Sequence, residues 1–294
     1  MPSHGNHWET LLNTEESDFL ANIVIPVAKN GRVVCAADCE DVRGGTERAE
    51  HVICQRSEGE HLVTQTLTVT DSLNKTLMLF SAYPVVLDGI PHNVTFEKFE
   101  PWKHGIEGWI HGGVMSGEAS ISFFDTMYFA SPRWVRVGET VTYHLAGLAY
   151  WLRPIQTRTL EISEGPMWEI EKQNRLEAGE TLQEAERPVT IHMTGAAMLL
   201  PVHKHDDAPD DYQFQGVIDA LEVFEHGGQK IWRLELVLMR SIDNDDEVFR
   251  LPVYASEYAL QGYVPRLGED VEGIMWLQGR QLEADECKPE NLPS

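Results

Sequence analysis

The sequence predicts an all-β protein with a minor helical component, built as two tandem β-barrel- or sandwich-like units joined by a short, acidic, helical connector. Three observations predict it. From His51 to Trp151 the chain is a series of β-branched, aromatic or apolar-alternating runs separated by turn residues. A second series fills Asp210 to Gly279. Between them, SEGPMWEIEKQNRLEAGETLQEAERP is acidic, poor in β-branched residues and flanked by Pro154 and Pro188. The boundaries that follow are an N-terminal β domain over 1–155, a connector over 156–187, a C-terminal β domain over 188–282 and an acidic tail over 283–294.

The elements follow in order. Trp8, Leu11, Leu12, Phe19 and Leu20 recur at roughly helical spacing, so residues 8–21 are expected to be a short helix. Asn22 to Val27 reads as a strand, Lys29 to Arg32 as an Asn-Gly hairpin turn, and Arg32 to Ala37 as the return strand. Asp38 to Glu50 is a polar loop. HVICQRS, HLVTQTLTVTD, TLMLFSAYPVVLDG and HNVTFEKFEPW are the next strands, with a bulge expected where Leu62 falls out of step with Leu67 and Val69. Strands are expected over 106–114 and 119–129, then from Thr140 to Trp151 after the Gly138-Glu139 turn. A helix opens near Pro166, a tolerated first-turn proline, and ends at Gly179. The β pattern resumes at Val189, and the Asp210–Gly279 run reads strand, tight turn, strand, acidic turn, strand, irregular connection, strand.

The two series share a pattern. SFFDTMYFASPRWVRVGETVTYHLAGLAY and RLPVYASEYALQGYVPRLGEDVEGIMWLQG each run strand, aromatic cluster, Pro-Arg, spacer, Gly-Glu, Val and apolar strand. This pairs Pro132-Arg133 with Pro265-Arg266, Gly138-Glu139 with Gly268-Glu269, and the strand near Gly108 with that near Gly216. It raises the alternatives of duplication and of recurring turn chemistry. In strand order alone, the later series resembles an OB-type small barrel, a fold that hosts many functions.

Composition narrows the function. A length of 294 residues suits about two domains. No apolar run nears the roughly 20 residues that span a bilayer, and the first residues lack a basic stretch and an apolar core, so a cytoplasmic protein without membrane contact is expected. The formal charge of -24 disfavours nucleic acid, whose phosphates need Lys and Arg, and suits a basic protein partner or self-association. Cys35 and Cys54 sit in apolar strands and read as core residues rather than as zinc ligands with Cys39.

Two groups of candidate site residues follow. Tyr258 and Tyr263, in the irregular connection, with Arg266, Arg133 and Trp134, offer aromatic and cationic binding contacts. His203, His205 and Asp207 are the densest ligand-like cluster for a divalent metal. The cluster resembles the His-x-His-x-Asp start of metallo-β-lactamase-type sites, but Ala208 stands where the next ligand His belongs. Without a metal, it is an exposed polar loop. His104, His111 and His144 lie near Asp125, with no serine or cysteine in an elbow-like turn. The favoured reading is a non-enzymatic binding or assembly protein that contacts a protein partner and carries no cofactor. A metal-dependent hydrolase and an OB-type oligonucleotide or oligosaccharide binder are the alternatives.

Overall fold

In the computed structural model, residues 6–12, 20–38, 51–70, 77–102, 104–130, 136–202, 208–241, 244 and 247–281 are described. The chain opens with a 3-10 turn at Asn6–Thr10. Leu20–Val24 is a π turn running into α1, Ile25–Asn30. The expected strand over 22–27 is therefore helical. Val24 and Val27, three apart, are buried together, which a strand's alternation would not allow, and Pro26 is tolerated in the first turn. Gly31 ends this helix by donating its N–H to the Val27 carbonyl rather than forming a hairpin.

Four strands follow as an antiparallel meander: β1 (Arg32–Asp38), β2 (His51–Arg56), β3 (Leu62–Thr70) and β4 (Leu77–Val86). The register of β3 against β4 slips between Leu67 and Thr68, an irregularity close to the expected bulge. Then come β5 (Ile90–Pro101), β6 (Gly108–Val114), β7 (Ala119–Asp125) and β8 (Thr140–Pro154). The connector holds β9 (Thr159–Ile162), α2 (Pro166–Glu177), α3 (Leu182–Ala185) and β10 (Val189–His192), with β9 paired to β10. Gly179, with φ of 92°, follows α2 as its breaker. The chain continues through β11 (Met198–Pro201), β12 (Asp211–His226), β13 (Gln229–Arg240), β14 (Val248–Ser256), α4 (Glu257–Leu260) and β15 (Asp270–Arg280).

Among the described residues, nine strands form one mixed sheet ordered β11-β12-β13-β14-β8-β15-β7-β6-β5, with further pairings β12–β15 and β8–β5. Those pairings close two circuits, β5-β6-β7-β15-β8 and β12-β13-β14-β8-β15. The antiparallel β8–β15 pair belongs to both. Each circuit completes itself through a short parallel contact: Phe124 and Asp125 against Gln278 and Gly279, Val253 and Tyr254 against Gly147 and Leu148.

The antiparallel β8–β15 ladder is the axis the two circuits share, and at its middle Gly147 pairs with Leu277, flanked by Trp276↔Leu148 and Gln278↔Ala146. The register slips after Phe96 in β5 and after Ile218 in β12. Phe96 exchanges hydrogen bonds with Gly138 and Glu139, and Ile218 does the same with Gly268 and Glu269. Both glycines have positive φ, 90° and 80°. Arg136-Val137-Gly138-Glu139 thus matches Arg266-Leu267-Gly268-Glu269, and Arg136 rather than Arg133 corresponds to Arg266. The registers also match β6 with β13, so the strand at Gly108 is not the counterpart of the strand at Gly216. At the axis, the Met275 side chain packs over Gly147, with its Sδ 2.3 Å from where a Cβ would stand.

Inward side chains such as Phe96, Ile110, Phe123, Phe214, Leu236 and Val253 fill both circuits as one core. A second core lies between the meander and the outer face of the axis, where Leu67, Tyr83 and Val85 meet Phe124, Ala146, Leu148, Tyr254 and Trp276. Gln278 fastens that contact, accepting the Val86 N–H at 3.0 Å. Among the described residues no helix is long and apolar enough to cross a membrane.

Candidate functional site

The β5–β6–β7 ladder projects Phe96, Ile110 and Phe123 into the core. Alternation places His111 and Ser122 on the opposite face, and the register slip after Phe96 brings Lys98 and Glu100 to that face too, on either side of inward Phe99. His111 stands across from both Ser122 and Lys98 in register. Its Nδ1 is 2.7 Å from Ser122 Oγ, and its Nε2 is 3.0 Å from Glu100 Oε2. Lys98 Nζ donates to the same Glu100 oxygen at 2.5 Å.

The chemistry of the partners fixes the protons. An ionised carboxylate only accepts, so the His111 proton sits on Nε2. Burial lowers the His111 pKa, against the opposing pull of the Glu100 carboxylate, and favours the neutral ring. Nδ1 then carries a lone pair and accepts the Ser122 hydroxyl proton. Glu100 is pushed up by partial burial, but Lys98 and His111 outweigh this and hold it below its ordinary value. The Ser122 N–H donates to the Tyr212 hydroxyl at 2.7 Å. The turn after His111 carries two non-glycine residues at positive φ, Met115 (51°) and Ser116 (54°). That conformation costs on the order of 1 kcal/mol each and often accompanies functional sites.

Two other polar clusters tie elements together. Asp88, after β4, receives His61 Nδ1 at 2.9 Å and Arg233 Nε at 3.2 Å, and the Tyr254 hydroxyl donates to its other oxygen. Near the N-terminal turn, Trp276 Nε1 donates to buried Asp210 at 2.7 Å, and Tyr150 donates to Asp211 at 3.0 Å. The His7 ring stacks on Trp276 with 4.0 Å between centroids, and its Nδ1 lies 2.8 Å from the Tyr150 hydroxyl oxygen. Burial, then the Asp211 charge, push the Asp210 carboxyl up to about 7, against the pull of the Trp276 N–H.

No family model matches the chain, and no curated protein matches its sequence.

Of the sequence-predicted residues, Tyr258, Tyr263 and Arg266 are described, all in the connection between β14 and β15. Tyr258 is exposed on α4, and Arg266 is exposed in the turn before β15. The Tyr263 hydroxyl donates to Glu269 Oε2 at 2.5 Å, and partial burial with that carboxylate raises its pKa. Arg133, Trp134, His203, His205 and Asp207 lie outside the described residues. Among the described residues, no three His, Cys, Asp or Glu side chains converge as a metal site. Cys35 and Cys54 are buried register partners in the meander core. Sequence reasoning named His111 but missed Ser122 and Glu100. A usable signal was the alternation of each around a core phenylalanine or isoleucine, but strand pairing supplies what sequence spacing does not.

Proposed function

We propose that the chain is a binding or assembly protein that meets a protein partner through its connector and the loops of its β units. The observation that carries this reading is α2. It is 12 residues long with none buried, and Met167 and Ile170, with Leu182 of α3, are 53%, 64% and 58% exposed. A helix this short is marginal alone and gains most of its stability from packing an apolar face. An apolar partner surface would supply that packing. The β14–β15 connection offers a second face, where Tyr258, Val264 and Leu267 are exposed beside Arg266. Aromatic and Arg side chains dominate binding hot spots. The charge of -24 favours a basic partner, or a basic patch on a second copy, and disfavours nucleic acid.

We also infer that each circuit is an OB-like barrel whose fifth strand is lent by the other half, and that the halves are duplicates. The matching registers, slips and Arg-x-Gly-Glu turns support both inferences. The binding test uses the intact chain. Self-association is read by light scattering, and capture of basic proteins by cross-linking. The triple variant Met167→Ser/Ile170→Ser/Leu182→Ser is expected to weaken the interaction about tenfold or more with melting unchanged. Binding that survives both this triple and Tyr258→Ser/Leu267→Ser overturns the reading.

A further inference from the structure

We propose that Ser122 is a nucleophile activated by His111 and Glu100, able to take the acyl group of small, accessible esters. This goes beyond the binding reading and rests on a different face. The geometry supplies the parts of a serine nucleophile: hydroxyl, base and orienting carboxylate within hydrogen-bond reach of one another, at 2.7 and 3.0 Å. The Glu100 carboxylate fixes the roles of the two ring nitrogens. The trio sits on three paired strands, His111 and Ser122 in mid-strand and Glu100 near the end of β5, which holds its geometry without a loop.

Ser122 Oγ attacks the ester carbonyl carbon while its proton passes to His111 Nδ1. The carbonyl oxygen becomes an oxyanion. The Tyr212 hydroxyl, which accepts the Ser122 N–H, retains its own proton to offer that oxygen. The ester C–O bond then breaks, and the alcohol leaves with the proton from His111. Water, deprotonated by the same ring, releases the acid and restores Ser122. Lys98 fixes Glu100 from outside the trio.

The direct probe is an alkyl fluorophosphonate with the full chain. Oγ attacks phosphorus, the P–F bond breaks, fluoride leaves and the proton goes to His111. Intact mass and peptide mapping should find one adduct, on Ser122. Ser122→Ala should abolish it. His111→Gln should slow it about 100-fold or more, and Glu100→Gln about tenfold, with unchanged melting. The labelling rate should rise with pH through one ionisation whose midpoint lies below the ordinary imidazole value. Release of p-nitrophenol from p-nitrophenyl acetate should show the same dependence on Ser122. No adduct on Ser122, or labelling there that is indifferent to His111→Gln, overturns the proposal. Should Ser122→Ala fail to fold, the His111→Gln rate and mapped adduct still decide it.

Discussion

Asp210 makes the stability of this protein depend on pH in an unusual direction. Its carboxyl titrates near 7 in the folded chain against an ordinary value of 3.8. The folded state therefore binds more protons between those values, and this contribution falls as pH rises through 7. It is fully present below about 4 and absent above 7, a difference on the order of 4 kcal/mol. Asp210→Asn should remove that slope while leaving an acceptor for Trp276. Denaturant titrations of both proteins from pH 4 to 8 check it, and parallel curves would refute it. Gln65 carries a second single-residue prediction. Buried in the meander, it donates to Tyr83 and to the Thr126 carbonyl and accepts from Arg56 Nε, each at 2.7 Å. Gln65→Leu removes all three buried bonds and should cost about 3 kcal/mol, read from the denaturation midpoint.

The β6–β7 hairpin shows how an element constrains its residues. Its turn holds Ser116 at φ 54° and ψ 21°, a conformation glycine adopts freely. Ser116→Gly should stabilise the fold by about 1 kcal/mol in thermal melts, and a loss of stability would count against strain there. The elements were legible to different degrees. The long strands from His51 onward and the helix from Pro166 to Gly179 follow from alternation and from breakers in the chain. The segment at Leu20–Asn30 was not legible as helix, because a run of Ile and Val fits a strand until its packing is known. The inferred repeat was half legible. Gly-Glu marked it, but the Pro-Arg pair drew the alignment to Arg133, whereas turn hydrogen bonds match Arg136 with Arg266. The Ser122–His111–Glu100 trio comes from three strands. Its assembly depends on the bulge in β5 and on register, neither of which a single strand's pattern specifies.

Across the whole molecule, the shared β8–β15 pair couples the halves. Neither five-strand circuit closes without a strand from the other, so the halves are expected to melt together. Calorimetry should show both circuits melting in one transition with equal calorimetric and van't Hoff enthalpies. Two resolved transitions, with the isolated segment 208–281 folding alone, would contradict it. The connector acquires a further meaning from this coupling. Residues 155–197 make the meeting of two strand-sharing halves an event within one chain, replacing dilution with a fixed effective concentration. Below the concentration at which copies associate, the melting midpoint of the intact protein should then be independent of how much is in the tube. A single proteolytic cut in the exposed Ser163–Gly165 stretch would convert the same fold into a complex of two fragments, whose melting falls as it is diluted.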